Sequence, residues 1–143
     1  MQGYRHILLG VDFTEGCDRV AKRAVELAKL YQSRLTMVHV VEPLPVEAAS
    51  ETMLPPSGNL ESELYENAKR RLQELAAKLE LTDARREIRM GYTKREILQY
   101  AEEQDVDLIV VGSHGRHGLA LLLGSTANAV LHGSPCDVLA VRI

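Results

Sequence analysis

The sequence predicts an α/β fold, a doubly wound parallel sheet with helices on both faces. Three observations carry that reading. Short apolar runs alternate with segments of helical periodicity from one end of the chain to the other, the rhythm of βαβ units. Several of those runs are too short for helices and almost free of polar residues, as strands buried on both faces are. The length of 143 residues suits one domain, with no internal repeat or low-complexity tract.

Each element follows from its own residues. His6–Val11 is a compact apolar run closed by the turn-like segment Asp12–Gly16, and reads as a buried first strand. Val20, Ala24, Leu27, Ala28 and Tyr31 recur at helical spacing and mark one apolar face. Leu35–Val41, rich in β-branched residues, is the second strand. Residues 43–59 hold four of the five prolines, which remove backbone donors and fix φ, so they form a connection. Its 17 residues exceed the usual length of a loop, and it is expected to be either a plain crossover or a mobile lid. Leu60, Leu64, Ala68, Leu72, Leu75, Ala76 and Leu79 define the next helix, with Glu66–Arg70 and Glu74–Lys78 expected as i,i+4 pairs on a solvated outer face. Arg86–Met90 alternates as a half-exposed edge strand does. Thr93-Lys-Arg-Glu96 has the spacing of a capping box, and Ile97, Leu98 and Ala101 continue that helix. Asp107–Val111 is an apolar strand. A last helix runs from near Gly124-Ser125-Thr126 to Gly133, with Pro135 beyond it as a stop, and Cys136–Arg142 is the closing strand.

Composition narrows the function. Seventeen Lys and Arg against twenty Asp and Glu leave a net charge of −3, no footprint for nucleic acid. Aromatic residues make up 4% of the chain and tryptophan is absent, so platforms for stacking single-stranded bases are not expected. No apolar run approaches the length of about 20 residues that spans a bilayer, and the first residues lack the long apolar region of a signal peptide. The two cysteines, Cys17 and Cys136, form no CxxC motif. A cytoplasmic protein with free thiols and no membrane partner is the expectation.

Ligands of open doubly wound sheets bind beyond the carboxyl ends of the strands, at the switch point. The two unusual strand ends are Val11-Asp12-Phe13-Thr14 and Val111-Gly112-Ser113-His114-Gly115. Glycines admit close approach of the backbone to a ligand, and amides at a helix start favour anions. Gly124-Ser125-Thr126 offers such a start, and Asp12 can accept hydrogen bonds from a ribose or an adenine amino group. The pattern sketches a nucleotide site, with a purely structural glycine turn as the alternative. There is neither a GxxxxGK[ST] phosphate loop nor a GxSxG nucleophile elbow. His114 and His117 read as loop histidines or phosphate neighbours rather than a metal pair. His39 reads as a hydrogen-bonded core residue, and Cys17 as a buried, inert thiol near a helix start.

Taken together, Ile7–Glu15, His39-Val40-Val41, Gly91-Tyr92-Thr93, and above all Val110–Gly118 with Leu121–Ser125 resemble the universal stress protein family of the UspA type. The resemblance covers nearly the whole chain. It implies a five-stranded sheet in the order 3-2-1-4-5, a homodimer, a stress-response role and, in some members, ATP binding. Carried onto this sequence, it implies that Asp12 and the backbone at Val40 contact the adenosine, with Val111 beside them. Gly112 and Gly115 would line the ribose and phosphates, and Gly124, Ser125 and Thr126 would complete the phosphate cradle. The ligand implied is ATP or another adenine nucleotide, with Mg2+ as a companion. The nucleotide-binding branch of the family places nine residues between its second and third glycines, whereas eight, 116–123, separate Gly115 from Gly124 here.

No side chain stands out as a catalytic base, so regulatory binding of a nucleotide ranks ahead of catalysis. A dimeric interaction protein with an empty pocket is the second reading, and a slow ATP hydrolase the third. Val138, Leu139, Ala140 and Val141 form an apolar run in the last strand. A sheet edge of that kind leaves backbone groups unpaired, so a two-fold dimer through this strand is expected.

Overall fold

The computed structural model describes residues 3–43, 60–81, 83–113 and 125–143. Along the chain come β1 (His6–Gly10), α1 (Cys17–Tyr31), β2 (Arg34–Val41) and α2 (Leu60–Lys78). They are followed by β3 (Arg85–Met90), α3 (Thr93–Glu103), β4 (Leu108–Gly112), α4 (Ser125–Gly133) and β5 (Asp137–Val141). All strand pairs are parallel and the order is β3-β2-β1-β4-β5, as the resemblance implies. The connection read as a crossover or lid lies, from residue 44 on, outside the described residues.

Alternation along the strands divides the interior in two. Ile7, Leu9, Val11, Met37, Leu108 and Val110 pack with Val20, Ala24, Leu72 and Leu75 beneath α1 and α2. Leu8, Val38, Val40, Ile109 and Val111 pack with Ile97, Tyr100, Ala127 and Val130 beneath α3 and α4. β1, at the centre, is buried on both faces, which is why its sequence reads as a continuous apolar run. β3 forms one edge and is half-exposed, as its alternation predicts.

The amino end of β1 is fixed by polar contacts. The Asp107 carboxylate accepts the Arg5 amide at 2.9 Å and the His6 amide at 3.0 Å, and the Asp107 amide returns a bond to the His6 carbonyl at 3.0 Å. The His6 ring is 3% exposed. Its Nδ1 lies 3.1 Å from the Gln104 carbonyl, which can only accept, so Nδ1 carries the proton. Nε2 then accepts from the Thr36 hydroxyl at 2.8 Å.

Two local expectations fail for the same reason. The capping box at Thr93–Glu96 does not form: Tyr92 is the N-cap residue and makes no side-chain cap bond. The Thr93 hydroxyl donates to Glu42 Oε1 at 2.7 Å, with the Thr93 amide 3.3 Å from the same oxygen. Glu96 is drawn to Arg89 at 3.1 Å. A carboxylate from just beyond β2 has displaced the local hydroxyl, since charge-assisted bonds to backbone amides are the stronger ones. On α2, Lys78 pairs with Asp18 of α1 rather than with Glu74. Arg70 bonds Asn67 at 2.7 Å and approaches Glu74 at 4.0 Å, not Glu66. All these α2 pairs are exposed and contribute little to stability.

Replacing Glu42 by Ala is expected to lower the unfolding free energy by about 0.5–1 kcal/mol, the usual cost of a lost N-terminal cap. Urea denaturation reads this directly, and an unchanged midpoint would show the cap to be idle. A pH series tests His6. Burial, foremost, holds its proton affinity below the ordinary histidine value, with Arg34 and Arg85 adding to the effect and Gln104 and Asp107 opposing it. The folded state therefore binds the proton more weakly than the unfolded one. The neutral ring's contribution is complete above the unfolded value of about 6.5 and is lost as pH falls from there towards the folded value. The melting temperature should drop across that window in wild type and drop less in His6→Asn.

Candidate functional site

The carboxyl ends of β1 and β4 meet where the chain changes direction across the sheet, the crevice in which open α/β sheets bind ligands. Asp12 stands there half-buried, just past β1. Its Oδ1 accepts the Thr14 amide at 3.0 Å and the Thr14 hydroxyl at 2.7 Å. Both bonds fall on one oxygen, and Oδ2 takes no hydrogen bond from any described residue. Val40 and Val111, 6% and 4% exposed, lie on the face covered by α3 and α4. Gly10 sits between them: a Cβ there would come within 3.1 Å of Val111 and 3.3 Å of Ile97. This glycine lets α3 close onto the strand, a role that a glycine within an apolar run can signal.

Beyond Asp12 the backbone enters the left-handed region at Phe13, φ 58°, a conformation that costs a bulky residue on the order of 1 kcal/mol or more. Packing on both sides holds it there. The Phe13 ring lies 4.4 Å from the His39 ring at 44°, and the Arg71 guanidinium of α2 stands 4.4 Å over its centroid. His39 is hydrogen-bonded as expected, with Nδ1 2.6 Å from the Val11 carbonyl, but it is half-buried rather than part of the core. Phe13, Thr14 and Arg71 were not legible as site residues. Arg71 lies on a helix face whose charges read as solvated, and only the fold brings it to the strand end.

At the β4 end, Gly112 is pressed by side chains rather than open. A Cβ there would lie 2.8 Å from Ile143 Cδ1 and 3.4 Å from Val20 Cγ2. The Ser113 amide donates to the Val141 carbonyl at 2.8 Å, while the Ser113 hydroxyl is buried with no partner among the described residues. Ser125 and Thr126 open α4. Gly115 and Gly124, with His114 and His117, lie outside the described residues. The structure thus places Val40, Val111 and Gly112 at the carboxyl ends of β2 and β4, and Asp12 two residues past the end of β1, while the cradle glycines Gly115 and Gly124 lie outside the described residues.

Burial, then Asp18, pushes the half-buried Cys17 thiol above its ordinary value despite its place at a helix start, so it is a poor nucleophile. Among the described residues no three His, Cys, Asp or Glu side chains converge as metal ligands, and no helix is long and apolar enough to cross a membrane.

This is a doubly wound α/β protein with a five-stranded parallel sheet in the order β3-β2-β1-β4-β5. Residues 3–142 match the profile described as the universal stress protein family, and the chain belongs to that family. It is similar to universal stress protein A homolog 2 of Coxiella burnetii, 42% identical over all of this chain and 98% of the relative. The solved universal stress protein UspA from Lactobacillus plantarum superposes with a TM-score of 0.81 at 27% identity, over 99% of this chain and 100% of that one. Two further structures share the fold at 24% identity. One is a universal stress protein in complex with cAMP, TM-score 0.74, covering 98% of both chains. The other is the protein from Archaeoglobus fulgidus in complex with dAMP, TM-score 0.65, covering 99% of both.

The packing around Gly112 makes a test independent of any ligand. Gly112→Val should cost about 1–3 kcal/mol through overpacking against Val20 and Ile143. Gly112→Ala should cost less, because the end of the Ile143 side chain can yield, and Ile143→Ala should relieve part of that loss. Urea midpoints of the three variants and the double variant measure it.

Proposed function

We propose that this chain is a cytoplasmic stress-response protein that binds ATP or a related adenine nucleotide as a regulatory ligand and acts as a homodimer. The observation that carries the reading is the pair of polar groups at the carboxyl ends of β1 and β4 that no described residue engages: Asp12 Oδ2 and the buried Ser113 hydroxyl. A buried hydroxyl without a partner calls for one. In this reading Asp12 accepts from the adenosine, and the backbones at Val40 and Val111 frame it. Gly112 and Gly115 approach the ribose and phosphates, and Gly124, Ser125 and Thr126 cradle the phosphates, with Mg2+ neutralising their charge. That family relatives of this fold hold cAMP and dAMP supports the choice of adenine nucleotides.

The dimer rests on a contrast between the edges of the sheet. β3 presents Arg85, Arg86, Glu87 and Arg89, the kind of charge that discourages strand pairing. β5 presents Val138, Leu139 and Ala140, each half-buried, and ends at the buried Val141. Two copies of β5 can satisfy one another about a two-fold axis.

A nucleotide at about 100 times its dissociation constant stabilises a fold by about 2.7 kcal/mol, a shift of roughly 2–4 °C per kcal/mol for a domain of this size. ATP with Mg2+, ADP or AMP should raise the wild-type melting temperature by several degrees. Asp12→Ala should weaken the response, and Gly115→Val should abolish it. No shift with any of the three would leave the empty-pocket interaction protein as the better account. Light scattering should give twice the monomer mass, and Ala140→Lys should give the monomer. A wild-type monomer at micromolar concentration refutes pairing through β5.

A further inference from the structure

Phe13, just past β1, stands at φ 58°, in the left-handed region that a bulky side chain rarely adopts. It separates Asp12 from Thr14, and the two bonds from Thr14 to Asp12 Oδ1 close across it. Such an i to i+2 closure depends on the dihedral angles of the residue it spans. A Phe13 relaxed to an ordinary conformation would turn the Thr14 amide away and release the carboxylate.

Two contacts hold the strained residue. The His39 ring, itself bonded to the Val11 carbonyl, lies 4.4 Å from the Phe13 ring, and the Arg71 guanidinium stands 4.4 Å over the same ring. Arg71 is three residues after Ala68 and four before Leu75, both buried, so it flanks the seam by which α2 packs on the sheet. Among the described residues no carboxylate lies within ion-pair distance of Arg71, and its charge rests on the Phe13 ring. Behind burial and Asp18, Asp12 raises the proton affinity of the Cys17 thiol and Arg71 lowers it, so cation and carboxylate stand around one turn. Backbone strain of this kind, an aromatic pair and an exposed cation–π contact are similar in size. Loss of one contact is therefore enough to loosen the turn.

We propose that Arg71 is a positioning residue for nucleotide binding: laid on Phe13, its guanidinium holds the left-handed turn that presents the Asp12 carboxylate to the adenosine. The inference rests on the adenine-nucleotide reading above and adds to it a residue of α2. Arg71 touches no ligand in this account and acts through Phe13 and Asp12 alone. The face of an aromatic ring attracts charge rather than bulk, so a neutral side chain of equal length does not replace the guanidinium. The placement of α2 thereby sets how firmly the acidic group is held.

The test uses the whole chain and compares Arg71→Met, which keeps a long side chain without its charge, with Arg71→Lys, which keeps a cation. Calorimetric titration with ATP and Mg2+, ADP and AMP measures affinity. Hydrogen exchange of the Thr14 amide, followed by NMR without nucleotide, reads the turn itself. Arg71→Met should speed Thr14 exchange and weaken nucleotide roughly threefold to tenfold, while Arg71→Lys stays within about twofold of wild type on both. On an Asp12→Ala background Arg71→Met should weaken nucleotide no further, because the group through which it acts is gone. Phe13→Asn should remove the dependence as well, since asparagine enters the left-handed region readily. A purely structural Arg71 would instead lower the melting temperature with Thr14 exchange unmoved, and its cost would add to that of Asp12→Ala. Either result overturns the proposal, as does an Arg71→Lys that fares no better than Arg71→Met. A wild type that binds none of the three nucleotides fells the functional reading and this proposal together, whereas wild-type binding with Thr14 exchange unchanged in Arg71→Met fells the proposal alone.

Discussion

The burial of β1 on both faces governs where chemistry can reside in this fold. A strand enclosed by α1 and α2 on one side and α3 and α4 on the other has no room for unpaired polar groups along its length. Ile7, Leu8 and Leu9 are essentially inaccessible. Polarity is pushed to the two ends. At the amino end, Asp107 gathers the Arg5 and His6 amides, and His6 closes on Thr36 and Gln104. At the carboxyl end, Asp12 turns onto Thr14 through Oδ1, and no described residue engages Oδ2. The same enclosure that stabilises the sheet thus separates two polar regions along the length of the strands, and each is built from residues adjacent to one central element.

The elements were legible because their causes are local. A run such as His6–Val11, or the spacing of Leu72, Leu75 and Ala76, carries its own burial pattern, and the alternation of β3 announced an edge. The strand ends that carry the candidate residues were also legible, since Asp12 and Gly112 close apolar runs. What escaped was long-range pairing. Glu42 and Thr93 are 51 positions apart, and Lys78 and Asp18 are 60 apart. Local spacing therefore favoured the nearer partners, a capping box and an i,i+4 pair, that lost. The Arg71–Phe13–His39 stack belongs to the same class: it joins Arg71, whose helix face read only as solvated charge, to the end of a strand far away in sequence.

Phe13 illustrates how strain and function are linked here. A left-handed aromatic residue is held only because His39 and Arg71 clasp its ring. The sharp turn it creates sets the direction in which Asp12 faces. α2 contributes Arg71 to that clasp and packs Leu72 and Leu75 beneath the sheet, so the placement of α2 and the orientation of the acidic group beside the crevice are mechanically connected.

The unlike edges of the sheet carry a consequence for growth. β-Sheets with two adhesive edges polymerise, because each addition exposes a fresh template. Here one border is lined by Arg85, Arg86, Glu87 and Arg89, and the other by Val138, Leu139 and Ala140. If two apolar borders join, only charged borders remain facing outward, and each repels the next arrival. Under the proposed pairing through β5 the charged border acts as the terminator, and association along the hydrogen-bonding direction closes after a single union instead of running on into a fibre.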